Sequence, residues 1–107
     1  MTTDYLPGVY LRFRQQFPAM AERVDALGST GDEAGPLDER TRRLVKLGIA
    51  IGASAEGAVR SNARRALELG ASEAEILHVV ALSVSTRGFP AAVAAFSWVE
   101  EVLAAYK

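Results

Sequence analysis

His78 is the only histidine in this chain of 107 residues, and the chain contains no cysteine. An imidazole is the one side chain here that ordinarily carries and releases a proton near neutral pH. A lone histidine is more often structural than catalytic, so both roles stay open for His78. One histidine also argues against a zinc or iron site, because these metals need three or four ligands in a set geometry. We therefore expect neither a metal nor another cofactor.

Four arginines offer a second kind of chemistry: Arg43, Arg60, Arg64 and Arg65. The planar guanidinium group donates two parallel hydrogen bonds to a carboxylate or a phosphate, so one interpretation is a small anionic ligand. The other is a solvated helix face, because Glu56 with Arg60 and Glu68 with Arg64 can pair across one helical turn. The sequence leaves both interpretations open.

The spacing of apolar residues predicts helices in the first half of the chain and no strand. Residues 6–27 form an amphipathic pattern in which Pro18 marks a kink or a restart. Residues 28–36 hold three glycines and a proline, which predicts a loop. Asp38 then suits the N-cap of a nearly all-apolar helix that reaches Ile51, and we expect this helix to be central.

Three further helices complete a predicted count of five. Residues 58–69 resume the helical period and end at Gly70. Ser72 and Glu75 have the spacing of a capping box that begins a helix over about residues 76–85. Pro90 suits the first turn of the last helix, residues 91–105. The fold class predicted from these patterns is all-α, a compact helical bundle.

Composition predicts one domain over residues 1–107, because this length suits a single core. Half of the residues are hydrophobic, which is rich for a small monomer and indicates a homo-oligomer. The net charge of −1 offers no general attraction to nucleic acid. Residues 88–99, the longest uncharged stretch, are too few to span a membrane. The first ten residues lack a secretory pattern, so we expect a cytoplasmic protein.

Four segments in a fixed order resemble the carboxymuconolactone decarboxylase family, which includes the alkylhydroperoxidase D-like peroxidases. They are LDERTRRLVKL at 37–47, VRSNARRALELG at 59–70, SEAEI at 72–76 and GFPAA at 88–92. The resemblance covers about residues 37–100. It implies an alkylhydroperoxidase D-like bundle whose subunits associate through their central helices, commonly as trimers or hexamers.

The resemblance implies a site motif that the peroxidases of this family share. It consists of a Glu, a Cys-x-x-Cys that begins twelve residues later, and a His four residues beyond the second Cys. At the matching positions this chain has Arg43, Ala55, Ala58 and Asn62. The decarboxylase branch has the Glu and the His of the same frame, and these are replaced here too. The resemblance therefore implies a member without thiol peroxidase activity.

Two hypotheses of function remain open. One is a non-catalytic oligomeric protein, a binding or scaffold member whose substrate or ligand the sequence does not identify. The other is an enzyme with a rebuilt site around His78, with Arg43, Asn62 and Arg87 as ligand-binding residues. Such an enzyme would act without a metal on a small acidic or lactone-like compound.

Overall fold

The computed structural model describes residues 8–106, and within this range it contains six α-helices and no strand. The helices are α1 Gly8–Gln16, α2 Pro18–Asp32, α3 Glu39–Gly52, α4 Glu56–Glu68, α5 Glu73–Arg87 and α6 Phe89–Ala105. The predicted all-α fold is confirmed, and the sixth helix arises at Pro18. Proline lacks the N–H that a continuous helix would need there, so the first helix ends and a second one begins. Residues 6 and 7 of the first predicted helix lie outside the described range.

The predicted loop over residues 28–36 is wrong in its first half, because α2 continues to Asp32. Within this part of α2, Ser29 Oγ donates to the Asp25 carbonyl, and Thr30 Oγ1 donates to the Ala26 carbonyl at 2.9 Å. The end of α2 is also held from outside, since Asp32 Oδ1 lies 2.6 Å from Lys46 Nζ on α3. This contact between helices favours the helical conformation here despite the weak helix propensity of the two glycines in this stretch.

Helices α3 to α6 form a bundle around one hydrophobic core. The largest fully buried side chains come from all four helices: Leu47, Ile51, Val59, Ile76, Val99 and Val102. Trp98 and Tyr106 pack against this cluster from its edge. The central position predicted for α3 is confirmed on its inner face, whereas Ile49 on the outer face is 67% exposed.

Local signals fix where the bundle helices begin. The Asp38 carboxylate accepts a 2.8 Å hydrogen bond from the Thr41 N–H at the start of α3. The predicted capping box is present at α5, where Ser72 and Glu75 exchange hydrogen bonds of 3.0 and 2.9 Å. Gly88 joins α5 to α6 with φ +115°, a conformation that a side chain would strain.

Helices α1 and α2 form a hairpin that lies beside the bundle, and Ala21 is its only buried residue. Two hydrogen bonds, of 3.0 and 2.6 Å, join the Arg14 guanidinium on α1 to the Asp25 carboxylate on α2. The Phe13 and Phe17 rings lie 5.1 Å apart, yet both side chains remain substantially exposed. Among residues 8–106, no helix is long and apolar enough to cross a membrane.

Candidate functional site

Arg43 on α3 and Asn62 on α4 meet between the two helices. Arg43 Nη1 donates to Asn62 Oδ1 at 2.8 Å, and Asn62 Nδ2 donates to the Ala58 carbonyl at 2.9 Å. The Arg43 side chain is half-buried, and its Nε has no hydrogen-bond acceptor among the described residues. The two predicted ligand-binding residues are therefore brought together in one polar contact.

Ala55 and Ala58 lie at the beginning of α4, one turn before Asn62. Ala55 is the N-cap residue, and Ala58 lies in the first turn of the helix. The start of a helix stabilises a thiolate, because the helix dipole and the free N–H groups favour negative charge there. The backbone place for a Cys-x-x-Cys is thus retained, but the two side chains are methyl groups that cannot ionise.

The electrostatic surroundings of Arg43 are dominated by its burial and by like charge. Burial lowers the pKa of Arg43 below its ordinary value, and the nearby Arg65 guanidinium lowers it further. The Asp32 carboxylate acts in the opposite direction. Because the ordinary pKa of an arginine lies far above neutral pH, Arg43 stays charged at neutral pH and cannot act as a general base.

A polar cavity of about 470 Å³ adjoins Arg43 where the hairpin meets the bundle. Its charged lining comes from four helices: Arg14, Asp25, Asp32, Arg43, Lys46 and Arg65. Sequence reasoning missed the contributions of Arg14, Asp25, Asp32 and Lys46 to this cavity. Asp32 was missed because the sequence predicted a loop over residues 28–36, whereas Asp32 lies in α2. The other residues were missed because no local pattern predicts how α1 and α2 pack against α3.

The strip of arginines on α4 is mostly neutralised by neighbouring carboxylates. Arg60 Nη2 lies 3.1 Å from Glu56 and 2.8 Å from Glu101, and Arg64 Nη1 lies 3.3 Å from Glu68. The two pairs predicted across one helical turn are confirmed. The exposed Arg65 guanidinium forms no hydrogen bond or ion pair with any residue between 8 and 106.

Arg87, the third predicted ligand-binding residue, lies away from Arg43. Its Nε donates to the Gly52 carbonyl at 2.9 Å, and this contact satisfies the carboxyl end of α3. Gly52 is nine residues beyond Arg43, which is roughly 13 Å along a helix. Arg87 lines a different cavity of about 370 Å³, an apolar cleft between α3 and α5.

His78 is exposed on α5 and lines neither of these two cavities. It forms no hydrogen bond or ion pair within the described part of the chain. The structure therefore unites Arg43 with Asn62 and leaves Arg87 and His78 apart from that pair. No group of three or more metal-ligating side chains is found among residues 8–106.

Comparison with known proteins adds a family and a fold. The model of the carboxymuconolactone decarboxylase family matches residues 18–101, from the first residue of α2 into α6. A crystal structure of a carboxymuconolactone decarboxylase family protein from Legionella pneumophila, in its apo form, superposes with a TM-score of 0.78. The two chains are 22% identical, over 91% of this chain and 87% of that one, and at this identity the likeness shows the fold alone. No curated protein sequence gives a significant match.

Proposed function

The chain belongs to the carboxymuconolactone decarboxylase family, and we propose that it is a homo-oligomeric member that binds a small molecule and has no thiol peroxidase activity. The observation that carries this proposal is the 2.8 Å hydrogen bond between Arg43 and Asn62. These are the positions where the family resemblance expects a carboxylate and an imidazole. The Arg43 guanidinium is permanently charged and the Asn62 amide does not titrate, so these two groups can bind a ligand but cannot transfer protons to or from it.

The sulfur chemistry of the family has no substitute in this chain. A thiol peroxidase needs one thiolate that takes an oxygen atom from the peroxide and a second thiol that releases it as water and a disulfide. Positions 55 and 58 hold alanines. Methionine is the other sulfur-containing residue, and its sulfoxide needs a separate reductase to restore it. Met20 is exposed on α2 and would not complete such a cycle.

The alternative, an enzyme rebuilt around His78, has weaker geometric support. Such a site requires its four residues to converge, whereas Arg87 contacts the end of α3 and His78 faces solvent. A general base must come within hydrogen-bond reach of the proton that it removes. A catalytic His78 would therefore need a site other than the one that contains Arg43 and Asn62.

Self-association is supported by the apolar surface that one chain leaves uncovered. The hairpin exposes several large apolar side chains: Val9, Phe13, Phe17, Met20, Val24 and Leu27. On the bundle, Ile49 and Phe89 are each 67% exposed. Many large apolar side chains left exposed at helical spacing are typical of an interaction surface, and we propose a trimer or a hexamer.

The proposal is tested by consumption of an organic hydroperoxide in the presence of a dithiol. We expect the rate with purified protein to equal that with heat-denatured protein. Light scattering over a wide range of concentrations should give the mass of three or six chains. Turnover that survives a metal chelator and repeated chromatography would contradict the first part of the proposal, and a monomer mass would contradict the second.

A further inference from the structure

The polar cavity between the hairpin and the bundle has more positive than negative side chains. Arg14, Arg43, Lys46 and Arg65 line it together with two acidic residues, Asp25 and Asp32. Four positive and two negative charges leave a surplus of two positive charges. A cavity with a charge surplus concentrates ions of the opposite sign, so this one favours an anion.

Two of the four cations are already paired. Arg14 Nη2 lies 2.6 Å from Asp25 Oδ2, and Lys46 Nζ lies 2.6 Å from Asp32 Oδ1. Both pairs lie in the wall of the cavity and fix its shape, because they join α1 to α2 and α2 to α3. The surplus therefore belongs to the two remaining cations, Arg43 and Arg65.

Neither of these two arginines forms an ion pair or a hydrogen bond with a carboxylate among residues 8–106. Asp32 acts on Arg43, and Asp25 on Arg65, only through longer-range electrostatic attraction. Arg43 gives one Nη donor to the uncharged Asn62 amide, and its Nε has no acceptor among the described residues. The Arg65 guanidinium has no ion pair within residues 8–106. The two guanidinium groups line the same cavity, Arg43 from α3 and Arg65 from α4. Two guanidinium groups that line one cavity from neighbouring helices can both donate hydrogen bonds to the same oxyanion.

We propose that this cavity binds a compact dianionic oxyanion, a phosphate group or a short dicarboxylate, between Arg43 and Arg65. The inference rests on the proposed function in one respect, namely that the altered site binds a ligand. Asn62 is a positioning residue in this account, because its amide holds Arg43 at the cavity wall.

The test is a nuclear magnetic resonance titration of the full-length protein at constant ionic strength, with sodium chloride as the balancing salt. The probes are inorganic phosphate above pH 7.5, succinate, and acetate as the monoanion of similar chemistry. We expect phosphate, succinate or both to shift the Nε–Hε resonances of Arg43 and Arg65. Acetate should bind at least about tenfold more weakly than the dianions, because it can satisfy only one of the two cations.

Arg65→Gln removes one cation from an exposed position, so the variant should fold, and circular dichroism checks that it does. Its affinity for the dianion should fall about tenfold or more, because a charge-assisted hydrogen-bonded contact is lost. Arg23→Gln removes the same charge from the exposed surface of α2 outside the cavity and should leave the affinity unchanged. Arg65→Lys keeps the positive charge but loses the planar guanidinium group, so its affinity for the dianion should lie between those of Arg65→Gln and the wild-type protein.

Three results would each overturn the inference: no binding of either dianion, acetate binding as tightly as the dianions, or equal affinity in Arg65→Gln and the wild-type protein. Failure of the proposed function is a separate outcome. Hydroperoxide turnover would contradict the proposed function whatever the titration shows. Missing dianion binding in a protein without turnover would contradict only the assignment of the cavity.

Discussion

The bundle and the hairpin are held by different interactions. Within one chain, α3 to α6 enclose fully buried side chains such as Leu47 and Val99. The hairpin buries Ala21 alone, and ion pairs such as Arg14 with Asp25 hold it in place. Amphipathic periodicity is present in both regions, but only the bundle has a partner for its apolar face in the same chain. An amphipathic pattern therefore predicts a helix without saying what covers it.

The difference between the regions also bears on the cavity at Arg43. One wall belongs to the rigid bundle, and the other belongs to the hairpin, whose position depends on Asp32. Ion pairs at the surface contribute little stability on their own. We therefore expect the cavity to be more sensitive than the core to acid and to changes in the hairpin.

The largest expected effect comes from deleting apolar volume in each region. Leu47→Ala should lower the free energy of unfolding by about 2–5 kcal/mol, because it leaves a cavity in a fully buried site. Leu27→Ala, at a side chain that is 72% exposed, should cost less than about 0.5 kcal/mol in the dissociated chain. Denaturant unfolding at low protein concentration measures both. Equal losses would show that the hairpin has a core of its own.

The next effect concerns association. Leu27→Glu places a charge in the exposed apolar surface of the hairpin and should lower the assembly mass towards that of a single chain. Gln15→Glu adds the same charge at an exposed position that is already polar and serves as the matched control. Light scattering of both variants distinguishes them. If Leu27→Glu keeps the wild-type mass, the hairpin lies outside the interface.

A smaller effect is expected from the helix caps. Ser72→Ala removes the hydroxyl that accepts the Glu75 N–H, and it should cost about 1 kcal/mol of folding free energy. Ser29→Ala in the hairpin removes a hydroxyl that only donates to a carbonyl of its own helix, so its cost should stay within about 0.5 kcal/mol. Thermal unfolding of the two variants gives the comparison. A larger loss for Ser29→Ala than for Ser72→Ala would contradict the stabilising role given to the Ser72 cap.

The smallest effect is a pH dependence of the hairpin contact. The hydrogen bond from Lys46 lowers the pKa of Asp32 below its ordinary value. A lowered folded-state pKa stabilises the protein above the unfolded value, near pH 4, and this stability is lost as the pH falls through the lowered pKa. Hydrogen-exchange protection of α2 should therefore decrease in acid below about pH 4.

Asp32→Asn should reduce α2 protection at neutral pH and flatten its acid dependence. Asp38→Asn is the control in the bundle, because the pKa of Asp38 is also lowered, by the Thr41 backbone N–H at the start of α3. That variant should alter protection at α3 and leave α2 unchanged. An unchanged acid profile of α2 in Asp32→Asn would show that the Lys46 contact does not hold the hairpin.

The local parts of the fold were readable from the sequence, because their signals lie within a few residues. Pro18, Asp38 and the Ser72–Glu75 pair act on their own helix ends, and each is found at a helix start. The length of α2 was not readable, because Asp32 is held by Lys46 from another helix. Glycine content alone favoured a loop there, and a tertiary contact reversed that preference.

The candidate site was readable only in part, for a similar reason. The family frame pointed to Arg43 and Asn62, and the structure joins them. His78 and Arg87 were selected by residue type, which carries no information about position. The Arg14–Asp25 pair and the cavity that it borders depend on how the hairpin packs, and no sequence spacing encodes that packing.

We propose that the family frame persists in the backbone of this chain, and that the four altered side chains remove its thiol peroxidase chemistry. The most direct measurement is dithiol-dependent hydroperoxide consumption by the wild-type protein beside a variant with Arg43→Glu, Ala55→Cys, Ala58→Cys and Asn62→His. We expect no turnover by the wild-type protein above a heat-denatured control, and measurable turnover by the folded variant. Turnover by the wild-type protein, or a folded and reduced variant that remains inactive, would contradict this proposal.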